Sequence, residues 1–354
     1  MTKILHRDPD RRCKTLDEWP AADRDLWLAA LVPGDIFEDG GARTRHSECS
    51  NRNAVYGYGR WLTWLERQKL LDAPSSPADR IAPTRVKTYI ADLEQHNAPQ
   101  TLLNRLQELH AVAVVMDPDR DWRWIYRIYS QVKARHRPAR PKRPRLIPAG
   151  ELVELGIDLM MAAERQNTAC GRAMSFRDGL IIALQAARPL RLRNLTGLVL
   201  DRTLVSRGAQ WWIEFSAADT KNREVIELPW PEPLAAPLET YLIRHREVLV
   251  QMRGGSPRPA GRALWVSKTG SPMSREAIYH CITTRTCRVL GRPINPHLFR
   301  DCVATSIAIE DPTHIDIASG LLGHHTPATT EMYYNQARGV EASRRLQTFL
   351  LSLR

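Results

Sequence analysis

Between Lys133 and Pro148 the chain reads KARHRPARPKRPRLIP, and no other stretch limits the fold as much. Lys133, Arg135, Arg137, Arg140, Lys142, Arg143 and Arg145 crowd among Pro138, Pro141, Pro144 and Pro148, with no acid between them. Repeated prolines remove backbone donors and disfavour helix, so the stretch is expected to be extended. Its cations would be costly to bury unpaired. It therefore marks the clearest domain boundary, and 354 residues suffice for a core on each side. The expected organisation is an extension over 1–45, a helical domain over 46–132, a basic linker over 133–148 and a second domain over 149–354.

Upstream of the linker the apolar residues recur at helical spacing. Val55, Tyr58, Trp61, Leu62 and Leu65 make one stripe within 52–71. Thr84 is placed to cap a second helix bearing Val86, Tyr89, Ile90 and Leu93. A third runs from about Gln100 with Leu102, Leu103, Leu106 and Leu109. A fourth, after Asp117-Pro118-Asp119, carries Trp122, Ile125, Tyr126 and Tyr129. Four short helices with brief connections make a small bundle whose aromatic residues belong to its core. A further short helix is expected at 23–31.

Downstream the pattern is mixed. Segments 151–164, 177–187, 233–252, 275–290, 297–310, 313–322 and 341–353 read as helices. Gln210–Ser216 and Glu224–Leu228 read as strands of a hairpin, with 217–223 turning between them. The fold class is mainly α with a small antiparallel β-sheet.

Charge narrows the partner. Lys and Arg number 51 against 39 Asp and Glu, a net charge of +12, which favours a polyanion. Six cysteines without a Cys-x-x-Cys pair support neither a metal site nor a secreted disulfide framework. With no apolar run long enough to span a membrane, a reduced, cytoplasmic protein is the expectation.

A few polar residues in the second half carry the chemistry. Arg191 sits among Leu190, Leu192, Leu195 and Leu198, which are expected to be buried. A buried arginine needs an anion, either a protein carboxylate or a bound phosphate. Arg188 and Arg193 are expected at the surface or facing DNA. Lys221 falls at the hairpin tip, where a long side chain can reach into a groove. His297 and Arg300, three apart in His-Leu-Phe-Arg, share a helix face. In Leu-Leu-Gly-His, Gly323 can end a helix and expose His324, after which Thr329 or Thr330 can start the next and raise Tyr333 on its first turn. Two arginines, a lysine and two histidines supply positive charge and mobile protons. Such a set suits a pentavalent phosphorus centre, and the tyrosine supplies a nucleophile that can be held covalently.

In the order Arg, Lys, His-x-x-Arg, Leu-Gly-His, Tyr, the chain resembles the tyrosine recombinases, the phage integrase family of site-specific recombinases. The family's catalytic set falls on Arg191, Lys221, His297, Arg300, His324 and Tyr333. The likeness spans about 45–350, and the helical bundle resembles the family's core-binding domain. Pro189 and Asn194 stand where the family usually has Gly and Glu. His325 and Tyr334 duplicate their neighbours, and family spacing favours Tyr333.

The resemblance implies an α+β catalytic domain, attack by Tyr333 on a DNA phosphodiester and a 3′-phosphotyrosyl intermediate. It also implies phosphate binding by Arg191, Arg300 and His324, a general acid in Lys221, and assistance to the nucleophile from His297. Four protomers would act around two duplexes bearing specific recombination sites, through a Holliday junction, without metal or other cofactor. The free protein would be a monomer or weak oligomer, and an accessory factor would set direction. Arg135, Arg137, Arg140, Lys142, Arg143 and Arg145 of the linker, with Arg223 of the hairpin, are the expected DNA contacts. The alternatives are a type IB topoisomerase-like nicking-closing enzyme, a catalytically silent DNA-binding protein, and metal-dependent hydrolysis through His297, His324 and His325.

Overall fold

The computed structural model describes residues 11–35, 37–72, 75–135, 142–220, 223–252 and 259–310. The chain divides into two compact units, Met1–Pro141 and Lys142–Arg354. The expected helices at 313–322 and 341–353 lie outside the described residues.

In the first unit, α1 (Ala21–Ala29), α2 (Glu48–Arg67), α3 (Pro83–His96), α4 (Pro99–Met116) and α5 (Arg123–Arg135) enclose an aromatic core. Tyr58, Trp61, Leu62 and Leu65 are fully buried on α2, as their spacing requires. Trp61 stacks on Trp64 with centroids 5.1 Å apart, and Tyr89 of α3 meets Trp61 edge-on at 5.0 Å. Residues before 46 contribute Trp19 and Trp27 to this core. At its centre the buried Asp23 accepts from Tyr58 Oη at 2.7 Å and pairs with Arg80 at 2.6 Å.

Three local expectations change. Helix α3 begins at Pro83 with Ala82 as its cap, so Thr84 lies inside the first turn. Proline suits this place because the first helical residue needs no N–H and its own φ is already helical. Trp122 precedes α5, its indole donating to Asp117 O at 2.8 Å. Tyr126 is exposed, because the inward stripe follows Ile125, Ile128 and Val132.

The second unit is organised around α7 (Ala169–Ala187), buried almost all round from Arg177 to Ala186. Helix α6 (Ala149–Met161) lies directly against it at a pair of glycines. A Cβ on Gly156 would stand 2.7 Å from Gly179 O, and one on Gly179 2.5 Å from Gly156 O. Helices α11 (Arg275–Leu290) and α12 (Pro296–Glu310) also pack on α7, with the short α8 (Leu192–Thr196) against α11. The hairpin is found as β2 (Gln210–Phe215) and β3 (Ile226–Pro229), and a preceding strand β1 (Leu204–Arg207) completes an antiparallel sheet in the order β1-β2-β3. Leu204 pairs with Ile213, and Ile213 with Leu228.

Segment 233–252 is helical but interrupted. Between α9 (Ala235–Thr240) and α10 (Glu247–Gln251), residues Tyr241–Arg246 form a π turn. The wider turn brings Tyr241 and Arg246 inward, to donate to Leu264 O (3.0 Å) and to Gly261 O (2.6 Å) and Ala263 O (2.9 Å).

Candidate functional site

The site is assembled where the end of α7 meets the start of α12. Helix α7 stops at Ala187 because Pro189 cannot continue it, and 188–191 form a tight link in which Leu190 N donates to Arg188 O at 2.7 Å. Arg191 then caps α8 through its backbone, its carbonyl accepting from Asn194 N (2.8 Å) and Leu195 N (2.9 Å). Leu190, Leu195 and Leu198 are buried around it as expected, Leu192 is only partly buried, and Arg191 itself is half-buried. Helix α12 begins at Pro296, with Asn295 Oδ1 accepting from Leu298 N at 2.9 Å. That start puts His297 in the first turn and Arg300 one turn in.

Two contacts bring these segments together. The buried Arg300 guanidinium donates from Nη1 to Pro189 O, two residues before Arg191. The buried Gln185 amide donates to Leu190 O at 2.8 Å and to Pro296 O at 3.4 Å, bridging both segments. His297 remains accessible to solvent. Its pKa is held below the ordinary imidazole value, chiefly by lost hydration; Asp301 opposes this, while Lys142, Arg300 and Arg191 reinforce it. Arg191, His297 and Arg300 thus share one electrostatic environment. A neutral imidazole beside two guanidinium groups can take a proton while the arginines hold an anion.

The remaining expected residues divide into three groups. Lys221, His324 and Tyr333, with His325 and Tyr334, lie outside the described residues, as do Arg137 and Arg140. The loop that carries position 221 is closed at its base, where Thr220 Oγ1 donates to Glu224 O at 2.8 Å and accepts from Glu224 N at 2.9 Å. Arg223, at φ 56°, is exposed there, and Arg135 is exposed at the end of α5.

At both described ends the basic stretch differs from the extended strap expected of it, while 136–141 lie outside the described residues. Helix α5 continues to Arg135, and residues 143–145 form a short 3₁₀ turn that includes the backbone of Arg143. Lys142 pairs with Asp301 at 2.8 Å, and Arg145 donates to Pro293 O at 3.2 Å. The acid missing from the stretch itself is supplied from α12. Arg188, expected outside, is half-buried and donates to Pro229 O at 3.3 Å, so it braces the sheet; Arg193 is exposed.

Gln185 and Asp301 were not singled out from the sequence. Asp301 had one signal, its place directly after Arg300, whereas Gln185 reads as one more residue of a buried helix. Among the described residues no group of three or more His, Cys, Asp or Glu could hold a metal ion, and no helix is long and apolar enough to cross a membrane.

Residues 156–339 match the model of the phage integrase family, just over half of the chain. The tyrosine recombinase XerC of Mycobacterium tuberculosis (strain ATCC 25177 / H37Ra) is 28% identical over 198 residues, 56% of this chain and 62% of the relative. The XerC of Pseudomonas aeruginosa (strain PAO1) is 24% identical over 253 residues, 70% of this chain and 73% of the relative. The chain therefore spans under two thirds of the Mycobacterium relative's length. Among solved structures, the XerH site-specific recombinase bound to palindromic difH substrate, a post-cleavage complex, aligns with a TM-score of 0.57 at 14% identity, covering 91% of this chain and 95% of that one. The XerH pre-cleavage complex aligns at 0.55 and 14%, covering 83% and 79%. At that identity the likeness is one of fold, and it agrees with the mainly helical architecture and its small antiparallel sheet. The chain belongs to the phage integrase family.

Proposed function

We propose that this protein is a site-specific DNA recombinase that cuts and rejoins strands through a tyrosine. The observation that carries the reading is the tie between Arg300 and Pro189, which holds the His-x-x-Arg helix against the Arg191 turn in a member of this family. Tyr333 attacks the scissile phosphorus, forming a 3′-phosphotyrosyl bond as the bond to the 5′-oxygen breaks. Lys221 gives that oxygen its proton, while His297 takes the proton of the phenol. Arg191 and Arg300 bind the non-bridging oxygens, where charge accumulates, and His324 adds a hydrogen bond. The phosphotyrosyl link conserves the bond energy, so no nucleotide triphosphate is consumed. Attack by a 5′-hydroxyl from another strand reverses the step and completes one exchange.

Two exchanges through a Holliday junction call for four protomers on two duplexes. The XerH neighbours are recombinases bound to their difH substrate, which supports duplex DNA as the partner here. The domain organisation we propose is a helical core-binding domain followed by the catalytic domain, with Arg135, Arg137, Arg140 and Arg223 on the DNA backbone. Binding then weakens steeply with salt, each neutralised phosphate adding a slope of about −0.9 in log K against log salt.

The test is a covalent trap. Nicked duplexes drawn from the DNA flanking the gene should yield a protein–DNA adduct that survives EDTA and is lost in Tyr333→Phe. Adduct loss in Tyr334→Phe alone would move the nucleophile by one residue. Relaxation of supercoils with no preferred site would favour a nicking-closing enzyme instead.

A further inference from the structure

Residues 142–149 run along the helix that carries His297 and Arg300, and they are stitched to it. The Lys142 ammonium meets the Asp301 carboxylate at 2.8 Å. Arg292 donates to Pro144 O at 2.8 Å, and Arg145 returns a bond to Pro293 O at 3.2 Å, just before α12 begins. Further along, Ile147 N donates to Cys302 Sγ at 3.4 Å and Ala149 N to Ser306 Oγ at 2.8 Å, while the Ile147 side chain joins the core. Each of these partners lies on α12 or in the loop that leads into it.

Asp301 stands at the centre of this seam. It is buried, whereas Lys142 reaches it from the exposed side. It follows Arg300 directly and lies four residues after His297, so the carboxylate and the imidazole share a helix face. Among the described residues the charges that act on His297 are Asp301 and Arg300 of its own helix, Lys142 of the stitched segment, and Arg191 of the turn after α7. Lys142 and Asp301 act on it with opposite sign.

We propose that Asp301, clasped by Lys142, is a positioning residue for His297 and Arg300, so that the docking of segment 142–149 sets the electrostatic frame of the site. This rests on the reading of His297 and Arg300 as members of that site. Removal of the clasp leaves Arg300 bonded to Pro189 but changes the charge that His297 faces. Lys142 then belongs to the site's support rather than to the free basic surface that its sequence suggests.

The experiment follows the His297 imidazole in full-length protein labelled on histidine, its signal assigned by its disappearance in His297→Gln. Asp301→Asn should lower the titration midpoint by about half a pH unit, and Lys142→Met should raise it by a similar amount. Lys142→Arg should restore the wild-type midpoint. The acid limb of covalent adduct formation should move in the same two directions. A structural role alone would not produce opposite shifts. Midpoints that stay together in both variants, or move the same way, overturn the clasp. Should Asp301→Asn fail to fold, Lys142→Met, at an exposed position, decides alone. An adduct lost in Tyr333→Phe with an unmoved His297 midpoint sinks the clasp but keeps the recombinase reading; an adduct that persists in Tyr333→Phe sinks the assignment of Tyr333, whatever His297 does.

Discussion

In the N-terminal unit the buried Arg80 closes on the buried Asp23, and the Tyr58 hydroxyl completes the cluster; in the C-terminal unit the buried Arg300 donates to the carbonyl of Pro189. The first arrangement joins a cation to an anion inside an aromatic core. In the second, a backbone carbonyl accepts from the guanidinium and ties it to the turn that carries Arg191. The C-terminal unit contains the first kind too, where Asp178 accepts from Arg177 at 2.6 Å and pairs with Arg285 at 2.8 Å, fastening α7 to α11. Burial of an arginine therefore does not by itself mark a site. What distinguishes Arg300 is its place, one turn along the helix from His297 and bonded to the turn that carries Arg191.

The largest effect should come from breaking the N-terminal cluster. Asp23→Ala leaves Arg80 buried without its carboxylate and should cost about 3–5 kcal/mol, since an uncompensated buried charge is the expensive outcome. Replacing both partners by apolar residues should recover most of that loss. Chemical unfolding of the full chain, followed by tryptophan fluorescence, measures both. A cost for Asp23→Ala below about 1 kcal/mol would mean that the cluster is not what organises this core.

A smaller effect concerns Glu108, on α4 beside Gly57 and paired with Arg105 at 2.9 Å. Burial pushes its carboxyl up to about 7, with Arg105 pulling the other way. Because the folded value lies above the unfolded one, folding favours the protonated form. That contribution is fully present below the ordinary glutamate value and is lost as pH rises through about 7. Glu108→Gln should flatten the dependence and be more stable than wild type at pH 8, by on the order of 1 kcal/mol. An unchanged pH slope in the variant would contradict this.

The two units also differ in how much of them the sequence disclosed. The α2 stripe was legible because Tyr58, Trp61, Leu62 and Leu65 are spaced for one face and bulky enough to fill a core. Strand β1 was not, since Leu204-Val-Ser-Arg is short and buries only Leu204 fully. The first two turns of α7 are not legible because Met174 and Phe176 stand alone among small and polar residues and make no helical stripe, although Thr168 caps them by accepting from Gly171 N at 2.9 Å. Within the site, Arg191, His297 and Arg300 could be named from their order, and the structure brings these three together. The Gln185 bridge and the Lys142–Asp301 pair join residues more than a hundred positions apart, and such pairings depend on the fold rather than on any local pattern.

In the mechanism we propose, Arg191 and Arg300 act on one phosphate. Single-turnover adduct formation by Arg191→Ala, Arg300→Ala and the double variant tests it most directly. Each single change should reduce the rate by about 10²–10³-fold, and the double variant should lose far less than the product of the two. Losses that simply multiply, or an Arg191→Ala protein that forms the adduct as fast as wild type, would contradict it.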